Sequence, residues 1–272
     1  MNYRHAYHAG NFADCMKHAL LVWLMRAMGR KEKGFAVLDT HAGVGRYDLA
    51  AVPAERTGEW RAGIGRLAGA TDPALADYLA LVGELGLYPG SPALIRALLR
   101  PQDRLACCEL HPEDIRPLRR AFRDDPQVAV HHRDGYEAIG ALLPPPERRG
   151  LVLIDPPYEA GDEFVRLVDA IRLAHRRFPS GVVAAWYPVK SRAEARGLHG
   201  DVAAAGIRDL VAAELWLREP IDAGRLNGCG LLVVNPPFGF AAAAGEILGA
   251  LLGRLGNREM GEGVGVEVVC GE

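Results

Sequence analysis

No C-x-x-C pair occurs in the 272 residues, and the cysteines (Cys15, Cys107, Cys108, Cys229 and Cys270) are odd in number. Neither a disulfide framework nor a zinc site is suggested, and no metal is expected. Long apolar runs are also missing. The longest early one, Ala19 to Met25, is far shorter than a membrane span. It follows Asp14, Lys17 and His18 and has no small-residue cleavage site after it, so it reads as a helix face and not a signal peptide. A reduced cytoplasm and no membrane are the expectation. Excess charge is absent too: 32 Lys and Arg face 34 Asp and Glu, a net of −2. That excludes a uniformly basic coat for nucleic acid. With 49% hydrophobic residues, disorder is excluded as well.

What is present is a pattern of short apolar runs separated by helical stretches. Residues 11–29 form a predicted amphipathic helix, capped by Asn11, with Ala19, Leu20, Trp23, Leu24 and Met28 at helical spacing. Gly34 to Asp39 reads as a buried strand ending in a glycine turn, His41-Ala-Gly43-Val-Gly45. Further strands are predicted at 105–109, 128–132, 151–154, 182–186, 210–217 and 231–234, with helices between them at 164–177 and 192–205. Strands alternating with helices imply an α/β fold: a doubly wound, mostly parallel, seven-stranded Rossmann-like sheet. The last run follows its predecessor through only a dozen residues rich in glycine, a hairpin-like link, so the last strand is predicted antiparallel.

One spacing is abnormal. The acid after the second strand of a nucleotide-binding unit stands about 20 residues past the glycine turn. Here the candidate, Glu109, lies 64 positions after Gly45. A helical insertion over about 55–102 accounts for the surplus. One of its helices carries Leu75, Leu79, Val82 and Leu85. The other starts at Ser91-Pro92, read as N-cap and first helical residue. The chain thus divides into an N-terminal motif and helix (1–33), a main domain (34–252) and a glycine-rich tail (253–272) to which the sequence assigns no role.

The chemistry-bearing residues fall at the predicted strand ends. The glycine turn lets a ligand approach bare backbone. The dinucleotide fingerprint wants a third glycine at position 48, but that residue is Asp48. An acid there suits a cofactor without phosphates better than NAD, which disfavours a dehydrogenase. Glu109 can accept both hydroxyls of a ribose, though alone it is equally a solvated strand-end acid. Asp134 can take the amino group of an adenine, with Gly135 leaving room for the ring. Taken singly, that pair is a common Asp-Gly turn.

The specific signal is Asp155-Pro156-Pro157-Tyr158. Two prolines fix two φ angles and remove two N–H donors, leaving a rigid loop with free carbonyls. Asp155 and the Pro156 carbonyl can accept from the N–H groups of an exocyclic amine. They draw its lone pair out of conjugation, and they gain strength as charge builds on nitrogen. Tyr158 offers a stacking face. Asn235-Pro-Pro-Phe238 has the same form, but the antiparallel last strand puts it at the opposite sheet edge.

Together these elements resemble the class I S-adenosylmethionine-dependent methyltransferases that act on exocyclic amines. More specifically, the chain resembles the RlmJ family. The resemblance rests on Met1-Asn-Tyr-Arg-His-Ala-Tyr-His-Ala-Gly-Asn-Phe-Ala-Asp-Cys-Met-Lys-His18, on L-D-T-H-A-G-x-G-R-Y at 38–47, on Y-P-G-S-P at 88–92, on W-Y-P-x-K at 186–190 and on N-x-P-P after the last strand. It implies S-adenosylmethionine as cofactor, S-adenosylhomocysteine as product, and methylation of adenine N6 in naked or immature 23S ribosomal RNA. It places the catalytic acid at Asp155, with Pro156 and Tyr158, and cofactor contacts at His18, His41, Ser91, Glu109, Asp134 and Gly135. Substrate contacts fall at Tyr3 and Lys17. A monomer without an obligate protein partner is expected. A DNA adenine or protein amide methyltransferase, and a non-catalytic RNA-binding protein on this fold, stand as alternatives. The insertion lacks a recognition-helix pattern, which speaks against a DNA enzyme.

The balanced charge hides an asymmetry. Arg4, Lys17, Arg26, Arg30, Lys31 and Lys33 face only Asp14 and Glu32 in the first 33 residues, a net of +4. A locally basic enzyme that meets RNA and releases it fits that distribution.

Overall fold

The protein is described from a computed structural model, which covers residues 5–222 and 224–271. Helix α1 (Phe12–Gly29) is capped by Asn11, whose side chain accepts from the N–H groups of Ala13 and Asp14. Strand β1 (Ala36–Asp39) follows. The glycine turn then leads not into a helix but into a two-residue strand, β2 (Arg46–Tyr47). Helices α2 (Val52–Thr57), α3 (Glu59–Ala62), α4 (Ile64–Leu67) and α5 (Ala76–Leu85) come next, and β3 (Tyr88–Pro89) returns to pair with β2. Helix α6 (Ser91–Leu98) then packs on β1 and on β4 (Arg104–Glu109). It is therefore the crossover helix of the first parallel pair, and the extra residues precede it. Its N-cap is Gly90 and not Ser91. Ser91 is already helical, and its hydroxyl is used elsewhere.

The remaining elements alternate as the sequence predicts. They are α7 (Ile115–Ala121), β5 (Val128–His132), α8 (Gly135–Leu142), β6 (Gly150–Ile154), α9 (Glu163–Arg177), β7 (Val182–Val189), α10 (Arg192–Ala204), β8 (Leu210–Trp216) and β9 (Gly228–Val234). Helix α11 (Phe240–Leu255) and strand β10 (Gly263–Cys270) close the chain. The sheet order is β10-β8-β9-β7-β6-β1-β4-β5. β5, β4, β1, β6 and β7 are parallel, and β9 runs antiparallel between β7 and β8. Seven of these strands are those expected. The glycine-rich tail adds the eighth, pairing antiparallel with β8 at the sheet edge.

Alternation along the strands builds two core layers. Val37, Leu151 and Leu153 face one side with α1, α6, α7 and α11, while Leu38, Val152 and Ile154 face the other with α8, α9 and α10. Helix α1 departs from the amphipathic expectation. It packs against α6, α11 and β9 on one hand and α5 and α3 of the insertion on the other. A helix enclosed on all sides must be apolar nearly all round, and Leu20, Leu21, Leu24 and Met25 are at most 1% exposed. Each contributes roughly 1.5–3 kcal/mol by burial. That offsets the cost of carrying Asp14, Lys17 and His18 into the interior on the same helix.

The chain order reverses direction in the sheet between β1 and β6. After β1 it builds outward through β4 and β5, then returns to β6 on the far side of β1. The crevice at the carboxyl ends of these strands is where open α/β sheets bind ligands.

Candidate active site

A cavity of about 760 Å³ opens at that edge, within the range of small-molecule sites. Thr40 and His41 reach it from the end of β1, Glu109 from β4, Asp134 and Gly135 from the end of β5, and Asp155 to Tyr158 from β6. Helix α1 supplies Asp14, Lys17 and His18, and the start of α6 supplies Ser91. The structure thus brings together His18, His41, Ser91, Glu109, Asp134, Gly135, Asp155, Pro156, Tyr158 and Lys17 in one space. Tyr3 lies outside the described residues.

The side of the cavity formed by β1, β4 and the start of α8 is built from backbone as much as from side chains. Glu109 accepts from the N–H of Gly43 at 2.8 Å and of His111 at 2.6 Å, one on each carboxylate oxygen. Burial nevertheless pushes its carboxyl above the usual range. Gly43 has φ +60°, and a Cβ there would meet the Tyr47 hydroxyl at 2.3 Å. A Cβ on Gly135 would meet the Thr40 carbonyl oxygen at 2.1 Å. Gly135 is therefore demanded by the neighbouring strand end, not only by room for a ring. Asp134 caps α8, accepting from Tyr136 and Glu137 on Oδ1. Its other oxygen lies 3.7 Å from Arg166.

The two histidines are set as neutral rings. Burial takes His41 down to about 4, and its Nδ1 meets the Thr40 hydroxyl at 2.8 Å. Burial takes His18 down to about 3, and its Nδ1 meets the Tyr88 hydroxyl at 3.0 Å. Ser91 donates to Asp39 Oδ2 at 2.7 Å. Asp39 is wholly buried, burial raises its carboxyl to about 7, and its Oδ1 has no hydrogen-bond partner among the described residues.

At the reactive end, Lys17 Nζ lies 2.5 Å from Asp155 Oδ2 and 3.0 Å from Asp14 Oδ1. Burial works against the ammonium, but Asp14 and then Asp155 raise its pKa well above the usual lysine value. Burial likewise opposes the Asp14 carboxylate, and His5 and Lys17 outweigh it, holding Asp14 well below the carboxylate range. Asp14 Oδ2 also takes the Gly10 N–H and the His5 ring, each at 2.9 Å. The Tyr158 backbone is left-handed, with φ +52°. That is a costly conformation for a bulky residue and one concentrated at functional sites. Its hydroxyl donates to the Trp186 carbonyl at 2.8 Å, and its ring packs near Phe164 and edge-on to Trp186.

Sequence reasoning passed over several cavity residues. Asp14 was legible: it stands three and four residues before Lys17 and His18, so all three share a helix face. Tyr136 follows Asp134-Gly135 directly. Its hydroxyl donates to Glu163 at 2.6 Å, Arg166 lies over its ring, and it meets His41 edge-on. Glu163 and Arg166 carried no local signal. Asn235 is placed as expected. Its amide donates to the carbonyls of Pro179 and Gly181, which precede β7, at the edge away from the cavity. Phe238 is exposed.

A mostly parallel sheet whose strand β9 is reversed between β7 and β8, and a site at the carboxyl edge on either side of the switch point, define a class I methyltransferase fold. A probable spermidine synthase from Corynebacterium glutamicum shares the fold, with a TM-score of 0.51 at 16% identity over 97% of this chain and 77% of that one. The family model described as "Ribosomal RNA large subunit methyltransferase D, RlmJ" matches residues 32–267. The chain belongs to that family. It is 43% identical to ribosomal RNA large subunit methyltransferase J of Haemophilus influenzae, over 91% of this chain and 92% of that one. It is 42% identical to the protein of the same name from Escherichia coli, over 88% of each. Protein LPL1258 of Legionella pneumophila is similar in structure, with a TM-score of 0.88 at 33% identity over 96% of this chain and 98% of that one. The protein is thus a methyltransferase. None of its helices is long and apolar enough to cross a membrane, among the described residues.

Proposed function

We propose that the protein transfers a methyl group from S-adenosylmethionine to N6 of one adenine in naked or immature 23S ribosomal RNA, acting as a cytoplasmic monomer. The observation that carries this reading is the position of Asp155-Pro-Pro-Tyr158 beside the cofactor-side residues, at the end of β6. Family membership supports the RNA substrate. We read residues 1–33 as an arm over the site, 34–252 as the methyltransferase domain with its insertion, and the tail from 253 as its edge.

The cavity fits the cofactor. Gly43 and Gly135 leave backbone bare where a side chain would collide. Each Glu109 oxygen spends one lone pair on a backbone N–H and keeps another for a ribose hydroxyl. Asp134 and the His41–Tyr136 pair would border the adenine ring, and His18 and Ser91 the amino-acid end. When bound, S-adenosylmethionine supplies an electrophilic methyl on a sulfonium.

The chain's own residues then prepare the amine. Lys17 fixes Asp155 through Oδ2, which leaves Oδ1 as an acceptor for one N6–H. The Pro156 carbonyl accepts the other. Both acceptors are held before the base arrives, by an ion pair and by proline geometry, so little reorganisation is needed as positive charge develops on nitrogen. Tyr158, anchored through its hydroxyl, presents its ring to the flipped base. A neutral aryl amine is too weak an acid to lose its proton first, so Asp155 takes it only as the N–C bond forms.

The test is Asp155→Ala with radiolabelled cofactor and unmodified 23S RNA. Wild-type turnover by the variant overturns the assignment. Methylation of duplex DNA or of a protein amide, with RNA untouched, would favour the rival methyltransferases.

A further inference from the structure

The cavity continues past Trp186, away from the cofactor side, and this arm differs in charge. It is lined by Pro188 and Lys190 at the end of β7, by Leu217, Arg218, Arg225 and Leu226 on the β8–β9 loop, and by Arg66 of α4. On the other side of Asp155 the cavity is lined by Glu109, Asp114, Asp134 and Glu163, with Arg166 there already paired to Asp134 and Glu163. The strand order places β6 between the two groups, so the cavity runs from an acidic end, through Asp155, to a basic end.

The basic end is built, not draped. Asn227 is fully buried and donates to the carbonyls of Lys190 at 2.9 Å and Asp222 at 2.7 Å, which pins the loop to the end of β7. Arg218 is committed to structure: it donates to the Leu226 carbonyl and pairs with Glu259. Arg66 is committed in the same way, to the Leu255 carbonyl at 2.8 Å. Lys190 and Arg225 are exposed, and neither side chain makes a hydrogen bond or close ion pair among the described residues, although Arg225 lies near enough to Glu259 to help lower its carboxyl. The same loop raises Ile221, 81% exposed, and ties to Met260, 82% exposed, through the Glu219 N–H on the Met260 carbonyl. Uncommitted cations beside exposed apolar side chains suit a single strand: the cations take phosphates and the apolar surface takes an unstacked base.

We infer that Lys190 and Arg225 bind the phosphates that flank the target adenosine, and that the β8–β9 loop is the platform for its neighbouring nucleotide. The inference rests on the RNA reading above and deepens it, giving Lys190 of the W-Y-P-x-K motif a role in holding substrate. Acidic side chains on the loop, Glu219 and Asp222, and Glu259 beside Arg218, limit the patch to a short stretch of backbone. The phosphates should therefore be few and adjacent to the flipped base.

The experiment measures KM, kcat and the salt dependence of kcat/KM on unmodified 23S RNA, with S-adenosylhomocysteine binding followed by calorimetry. Lys190→Ala/Arg225→Ala should raise the RNA KM about ten-fold, with a smaller change in kcat and an unchanged affinity for S-adenosylhomocysteine. Two lost phosphate contacts should also flatten the log–log salt slope by about 1.4, at roughly 0.7 per phosphate on a single strand. Each single variant should give about half that change. Lys190→Arg/Arg225→Lys, which keeps both charges, should retain most of the RNA affinity. An unchanged KM and slope in the double alanine variant overturns the inference while leaving the RNA reading intact. So does an equal loss in the charge-retaining variant, or loss of S-adenosylhomocysteine binding. Failure of the unsubstituted protein to methylate 23S RNA overturns both.

Discussion

Lys17 Nζ stands 2.5 Å from Asp155 Oδ2, on a helix that begins near the chain's start, while the aspartate ends the sixth strand. The same ammonium bridges to Asp14 at 3.0 Å. The carboxylate proposed to face the reacting amine is thus one end of a buried chain of charges, and its orientation depends on a residue outside the sheet.

Removing that bridge should be costly. Lys17→Met leaves Asp14 and Asp155 facing each other's charge in the interior without the cation between them. Breaking a buried pair in this way destabilises by about 3–5 kcal/mol. Urea unfolding should show a loss in that range, and Asp14→Asn in the Lys17→Met background should recover part of it. An unchanged midpoint would mean that the triad contributes no stability.

Asp155→Ala should lower kcat by about 100- to 1,000-fold, the usual effect of removing one pre-set group that stabilises transition-state charge. S-adenosylhomocysteine binding should change little, because Glu109 on β4 and Asp134 and Gly135 at the start of α8 are held independently of β6, with β1 between. Single-turnover transfer of labelled methyl to 23S RNA separates the two effects.

Stability should fall with rising pH between about 4 and 7 because of Asp39. Burial raises its carboxyl from 3.8 in the unfolded chain to about 7 in the folded one. Below both values the acid is protonated in either state and costs nothing. Between them the folded state holds a proton that the unfolded state releases, so stability declines as pH rises, and above about 7 the decline levels off. Thermal melts from pH 4 to 8 should show this component, and Asp39→Asn should remove it.

Gly135→Ala should damage both stability and cofactor binding. The new Cβ would stand 2.1 Å from the Thr40 carbonyl oxygen, which is backbone at a strand end and cannot swing aside. Overpacking of this kind costs about 1–3 kcal/mol. The shift should also separate Asp134 from His41, so calorimetry should record weaker S-adenosylhomocysteine binding. Intact affinity would show that the strand ends can move apart freely.

Most of the sheet was legible because its strands are short apolar runs that end in residues with special chemistry, as at Asp39, Glu109 and Asp155. Asn235 could be set aside from loop length alone. The errors came where tertiary packing overrode a local rule. Ser91 looks like an N-cap in sequence, yet Gly90 takes that position and the serine hydroxyl serves Asp39. The apolar residues of α1 suggest one face, yet the insertion covers the other. The tail after Gly253 has no assignable role in the sequence because glycines interrupt it. Gly265 instead packs against Trp216, where a Cβ would meet the ring at 2.8 Å, so glycine lets β10 lie close on β8. Glu163 and Arg166 were not legible, since only the packing of α9 beside α8 brings them to Tyr136.

The separation of 138 positions between Lys17 and Asp155 also bears on the order of folding. Contacts so distant in sequence carry a large loop-closure cost and form late. During synthesis, α1 leaves the ribosome long before β6 exists, carrying acidic and basic side chains that the finished interior will neutralise. Until β6 arrives, Lys17 can meet Asp14 but not Asp155. A nascent chain cut short before β6 therefore lacks the proposed amine-gripping site, and on that proposal methyl transfer waits until half of the sheet's eight strands are laid down.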